Sequence, residues 1–208
     1  MQIKKEHVKE LLVQSATKEF IKYGFNNSSL RRIVKAVDLS TGTFYTYFKD
    51  KEDIFAYIVS PWTDTLHNLI KYSPEEPFLV KFHNTENPQI IYEAYNNVLK
   101  LIFENKIAAY IYLHCAEGSK FQNLPLQDIE KQVEKVYEVF SRDVFIFSNE
   151  TYIDKFFLTN FYIYFLNFLK NALKNNIPFE DANKKLQHMT IFASEGWIGL
   201  KESQKAMK

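Results

Sequence analysis

The sequence predicts an all-α protein of about nine helices, and three observations predict it. Apolar residues return at intervals of three and four along most of the chain, the period of one helix face. Only 5 Gly and 6 Pro occur in 208 residues, too few for the tight turns of a sandwich or barrel. The 19 Phe and 13 Tyr supply bulky side chains for a large helical interior. The length fits one domain or two small ones, with enough chain to bury a core without covalent staples.

The elements follow in order. Val8, Leu12, Ala16 and Phe20, widened by Leu11 and Tyr23, form the stripe of a helix over about 6–23, with Lys9, Glu10, Lys18, Glu19 and Lys22 off it. Gly24 ends the helix as a residue at ease with positive φ, and Phe25 sits where an apolar side chain folds back on the last turn. Ser29 is placed to cap a short helix through Ala36, with Ile33 and Val37 inward and Arg31, Arg32 and Lys35 in water. Ser40 caps a second short helix, Thr41 to about Tyr47, and a longer one opens near Lys51. Pro61 is expected to kink that helix before it resumes through Trp62 and Leu66. The stretch 72–88 carries three prolines and reads as loop, with one helical turn near Phe78–Phe82. Helical spacing returns at Ile91–Phe103, Ile107–Ala116 and Ile129–Val144; a turn falls at Ser148–Glu150. Two helices close the chain, Tyr152–Asn175 and about Asp181–Ser203.

Composition excludes several classes. A net charge of +1 is neither a basic tail nor an acidic disordered segment. Cys115 is the single cysteine, so neither an intrachain disulfide nor a cysteine zinc site can form. The first ten residues hold no apolar signal core, and the longest uncharged apolar run, Phe156–Leu169, is shorter than the ~20 residues of a membrane span. A cytoplasmic protein with no membrane partner is expected. His114 and Cys115 are adjacent and therefore point about 100° apart on a helix, which denies them a shared metal. The other histidines lack ligand spacing, and no HExxH, phosphate loop or GxSxG occurs. No catalytic residue, no metal and no cofactor is expected.

Residues 29–47 read as helix, tight turn, helix, a geometry that lets the second helix protrude into a major groove. On that helix Phe44 and Phe48 share the inward face, which leaves Gly42, Thr43, Tyr45 and Thr46 toward the outside. An exposed face that is small, hydroxylated and free of acid suits phosphates and thymine methyl groups. Between Lys22 and Lys51 six bases and two acids give +4, against +1 for the whole chain. Positive charge therefore concentrates beside the protruding helix. Lys51 opens a helix, so its ammonium and the free N–H groups there are candidates to meet one phosphate.

The run S-L-R-R-I-V-K-A-V-D-L-S-T-G-T-F-Y-T-Y-F-K-D-K-E-D-I (Ser29–Ile54) resembles the DNA-binding domain of the TetR/AcrR family of transcriptional regulators. Ile33, Ser40, Gly42, Tyr45, Tyr47, Phe48, Lys51 and Glu52 match the family pattern in type and spacing, as does Tyr23-Gly24-Phe25 at the end of the first helix. The likeness covers about residues 6–58. Asp38 stands where the family's turn glycine is usual, and Val34 and Val37 where small alanines are usual.

The resemblance implies an N-terminal three-helix helix-turn-helix DNA-binding domain, residues 1–50, and a C-terminal helical ligand-binding and dimerisation domain, residues 51–208. It implies a regulator, most simply a repressor released from a palindromic double-stranded DNA operator by a small-molecule effector. The alternative is a helical ligand- or protein-binding module that has lost operator binding, for which Asp38 is the motive. DNA contacts implied are Ser29, Arg31, Thr41, Gly42, Thr43, Tyr45, Thr46, Tyr47 and Lys51. In the long helix 152–175, two adjacent apolar stripes are more than one side can bury, so a second copy is expected to cover the other. Phe161, Phe165, Phe168, Phe192 and Trp197 are the expected homodimer contacts. Trp62, Tyr95, Phe103, Tyr110, His114, Tyr137 and Tyr162 are the candidates to line a pocket for a hydrophobic or aromatic effector.

Overall fold

The computed structural model describes residues 2–71, 88–142 and 155–206. Nine helices and no strand occur among them: α1 (Gln2–Asn27), α2 (Leu30–Lys35), α3 (Thr41–Tyr45), α4 (Lys51–Lys71), α5 (Pro88–Glu104), α6 (Lys106–His114), α7 (Leu124–Arg142), α8 (Lys155–Lys174) and α9 (Phe179–Ala206). None of these helices is long and apolar enough to cross a membrane. The turns expected near Phe78–Phe82 and Ser148–Glu150 lie outside the described residues. Two compact units form, residues 1–64 with 105–125, and residues 65–104 with 126–208.

The first unit is built on the α1 stripe. Leu12, Ala16 and Phe20 are fully buried, and the Phe20 ring meets Phe25 at 6.0 Å and Phe55 of α4 at 5.1 Å. Gly24 takes φ 70° and ψ 169°, which turns Phe25 back into the core as its position predicts. The freed Phe25 N–H donates to the Cys115 carbonyl at 2.7 Å. The segment after α6 thus closes against the end of α1. Phe121 adds its ring to Phe55 at 5.6 Å, and the Lys120 N–H donates to Glu52 at 3.0 Å.

Two caps differ in mechanism. Ser40 caps α3 as expected, its Oγ accepting the Thr43 N–H at 3.0 Å. Ser29 occupies the extended N-cap position of α2, but its side chain makes no cap bond. Asp38 adopts φ 53°, the left-handed turn its position requires. Helix α4 runs through Pro61. Proline lacks the N–H that would serve the carbonyl of Tyr57, four residues back, and Ser60 Oγ donates to that carbonyl at 3.0 Å instead.

In the second unit α5 packs on α9. Its core holds Tyr95, Leu99, Phe165, Ala172, Ala182, Leu186 and Ala193, with Tyr95 stacked on Phe165 at 4.1 Å and Phe103 edge-on to Phe179 at 5.4 Å. Tyr92 Oη donates to Asn183 at 2.7 Å. Helix α8 ends at Asn176, which takes φ 50°.

Both left-handed glycines are testable. A Cβ at Gly24 would find Cys115 O no nearer than 4.0 Å, so Gly24→Ala should cost only backbone strain, about 1–3 kcal/mol. At Gly118, φ 84°, a Cβ would lie 3.1 Å from Asn26 Oδ1, so Gly118→Ala should cost more. Urea unfolding of the two variants measures the order.

Candidate nucleic-acid interface

Phe44 and Phe48 are buried, with rings 5.7 Å apart, and they fix the orientation of α3. Thr41, Gly42, Tyr45 and Thr46 are consequently exposed, while Thr43, Tyr47 and Ser29 are half-buried. The hydroxyls are not equivalent. Thr46 Oγ1 donates to the Thr43 carbonyl at 2.7 Å, which leaves its lone pairs to accept and its methyl to touch apolar surface. Thr43 Oγ1 shares a hydrogen bond with Ser40 Oγ at 2.8 Å, so it is oriented before any partner arrives. Gly42 costs an exposed helix about 1 kcal/mol relative to alanine. A Cβ there would find only Ser40 Oγ, at a comfortable 3.6 Å, so nothing within this chain demands glycine.

The charges sort into two groups. Arg31, Lys35 and Lys49 are exposed, with no ion-pair partner among the described residues. Arg32 is paired with Glu19, which is only 8% exposed. Glu19 lies off the apolar stripe and is buried all the same: it forms a polar seam with Ser15, one turn earlier, whose Oγ donates to the Ile33 carbonyl at 2.8 Å. The spacing of two polar residues four apart beside the apolar stripe was the available signal for that seam.

Lys51 also turns inward. Its Nζ donates to the Phe25 carbonyl at 2.6 Å and the Ser28 carbonyl at 3.3 Å and lies 4.3 Å from the Phe25 ring centroid. Partial burial lowers its pKa. One free N–H at the start of α4 and another just before it are served by the chain's own acids. Asp50 Oδ1 accepts the Asp53 N–H at 2.8 Å, and Asp53 Oδ2 accepts the Lys49 N–H at 2.9 Å. An anion there would meet those carboxylates.

The pocket candidates divide between the two units. Trp62 is buried in the first, with Tyr110 and His114 stacked at 4.8 Å, half-buried. Tyr95, Tyr162 and Phe103 belong to the second. Tyr95 and Tyr162 are buried, which raises both phenol pKa values, and the nearby Tyr95 raises that of Tyr162 further. The side chain of Tyr137 lies outside the described residues.

Helix α8 separates its stripes as their width implies. Leu158, Tyr162 and Phe165 face the core, Phe161 and Phe168 are half-buried, and Phe157 and Tyr164 are exposed. Phe165 is the exception among the expected dimer contacts, because it is 3% exposed and stacked on Tyr95 within its own protomer. Phe192 is 75% exposed, and Phe156, which the sequence did not single out, 77%. The side chain of Trp197 lies outside the described residues.

Two outcomes follow from this geometry. Lys51→Met should lower the stability of the DNA-free protein by about 1–3 kcal/mol, through the loss of charge-assisted hydrogen bonds, as read from urea unfolding. A residue that served DNA alone would leave that value unchanged. Burial pushes the Cys115 thiol from 9.0 up to about 11. A raised acid pKa contributes stability that is intact below 9.0 and lost as pH climbs through about 11. The native thiol should therefore resist a disulfide reagent at pH 8 and react at once in denaturant.

Comparison with known proteins follows the same outline. The family described as bacterial regulatory proteins, tetR family, matches residues 12–58. An uncharacterized HTH-type transcriptional regulator of Bacillus subtilis, YhgD, is 24% identical over 127 residues, 61% of this chain and 61% of its own length. The aligned chain thus spans about three fifths of that relative. An HTH-type transcriptional regulator of Staphylococcus aureus is 25% identical over 142 residues, 67% of this chain and 71% of its own. Among solved structures, a transcriptional regulator from Aquifex aeolicus shares the fold at 21% identity, with a TM-score of 0.55 over 89% of this chain and 98% of the other. The helix-turn-helix and its buried aromatic anchors fall within residues 12–58, the segment that matches the tetR family of bacterial regulatory proteins.

Proposed function

We propose that this protein is a DNA-binding transcriptional regulator that represses from a palindromic operator as a homodimer and lets go when a small hydrophobic or aromatic effector binds. The observation that carries the reading is α3. It is a capped helix anchored through Phe44 and Phe48, and it presents Thr41, Gly42, Tyr45 and Thr46 to solvent. A glycine that its own fold does not require leaves room for a duplex backbone to approach. Exposed Arg31, Lys35 and Lys49 supply cations for phosphates beside it.

In this reading residues 1–50 bind DNA, and residues 51–208 bind effector and join protomers. The exposed rings of Phe156, Phe157, Tyr164 and Phe192 on α8 and α9 are large apolar surfaces that support an interface with a second copy. Phe161 and Phe168 flank them, half-buried. The protein acts without catalysis, and its place of action is the cytoplasm, where its operator lies. Asp38 adopts the turn conformation that its position needs, so the shape of the turn gives no support to the alternative of an operator-blind module.

Selection of bound duplexes from a random pool tests the proposal. The enriched site should be palindromic, and log affinity should fall linearly with log salt. Arg31→Gln should reduce the salt slope by about 1, whereas Thr46→Ala should change base preference and leave that slope alone. Enrichment of no duplex, or of sites without two-fold symmetry, would overturn it.

A further inference from the structure

Arg32 stands among the bases of the proposed DNA face, and its side chain is 48% exposed. Two of its three nitrogens, Nε and Nη2, are nevertheless engaged inside the protein. Nε donates to Glu19 Oε1 at 2.7 Å, and Nη2 both pairs with that oxygen and donates to the Asn27 carbonyl at 2.6 Å. The guanidinium carbon lies 4.4 Å from the Tyr23 ring centroid. Glu19 Oε1 also accepts the Ser29 N–H at 2.9 Å. One carboxylate on α1 therefore holds both the N-cap residue of α2 and a side chain of its first turn. The same arginine grips residues 23 and 27, on either side of the Gly24 break.

The buried Ile33 and Val34 and the Ser15 Oγ bond to the Ile33 carbonyl hold the middle of α2, and the Glu19 and Arg32 contacts hold its start. The helix has six residues, and its N-cap serine makes no side-chain cap bond. A helix this short has no intrinsic stability and takes its orientation from its contacts. Helix α3 depends on it in turn, since the Leu39 N–H donates to the Val34 carbonyl at 2.9 Å. An error in the exit of α2 from α1 is thus passed to the helix that meets DNA.

We propose that Glu19 and Arg32 are positioning residues for DNA recognition, an internal ion pair that sets how α2 leaves α1, and that Arg32 is not a phosphate ligand. The proposal rests on the DNA-binding reading above. It opposes simple electrostatics at one point. Removing a negative charge near a polyanion should tighten binding, whereas removing a positioning carboxylate should weaken it.

The experiment uses the full-length protein and the duplex that the wild type enriches from a random pool, beside a scrambled duplex, below the unfolding midpoint of each variant. Glu19→Gln should weaken the enriched duplex tenfold or more and leave the scrambled one within threefold. Arg32→Gln should do the same, with a salt slope equal to that of the wild type. The double variant should lose no more than the worse single one, since the two act as a unit. Should Glu19→Gln fail to fold, Arg32→Lys carries the test. It keeps the charge but loses the planar fork on Asn27 and Tyr23, and its preference for the enriched duplex should fall threefold or more. Tighter or unchanged binding by Glu19→Gln, a slope lowered by about 1 in Arg32→Gln, or an unaltered preference in Arg32→Lys overturns the positioning role. A wild type that enriches no duplex overturns the DNA-binding reading and this proposal with it. A wild type that binds beside variants that behave identically overturns the positioning role alone.

Discussion

Between Gly24 and Ser29 the chain leaves one helix and enters the next, and the backbone there is held from three sides. The Phe25 N–H goes to Cys115, its carbonyl and that of Ser28 go to Lys51, and the Ser29 N–H goes to Glu19. Backbone groups freed at a helix end must find partners, and each found here belongs to a different part of the chain. The exit of α2 from α1 follows from this junction, because so short a helix has no stability to set its own pose, while the buried Phe44 and Phe48 orient α3. The rings of Phe20, Phe25, Phe55 and Phe121 pack against one another beside it.

The junction changes how the local charge is understood. A balance of +4 between Lys22 and Lys51 counts Arg32 and Lys51 as cations offered to a partner. Glu19 lies just outside that window and neutralises Arg32, and Lys51 points at carbonyls. The exposed cations of that window are fewer: Arg31, Lys35 and Lys49, with Lys22, whose Nζ lies 4.9 Å from the Tyr23 ring centroid. A charge count along a sequence registers sign and proximity but not direction, and direction decides which ammonium or guanidinium faces outward.

Much of the architecture was legible because it rests on local rules. The stripe Leu12, Ala16, Phe20 identified the buried face of α1, Gly24 its break, Ser40 a working cap and Asn176 the end of α8. Phe44 and Phe48 were assigned inward from helical period alone and are buried. What escaped depends on residues far apart in the chain. Nothing near Glu19 announces that residues 29 and 32 will fold onto it, and nothing near Cys115 announces Phe25. Phe165 was grouped with interface residues because an apolar stripe shows that a side is buried, not by what, and Tyr95 turned out to cover it.

The segment 105–125 is stitched into the first unit although it lies some fifty residues beyond the helix-turn-helix. Phe55 rests on Phe121, and the amide after Gly24 rests on Cys115. A gene trimmed to the stretch that carries the motif would strip away that backing, bare one face of the Phe55 ring to water and orphan an amide. The reading head of this protein is thus not a detachable cassette; it becomes whole only after much of the rest has been synthesised.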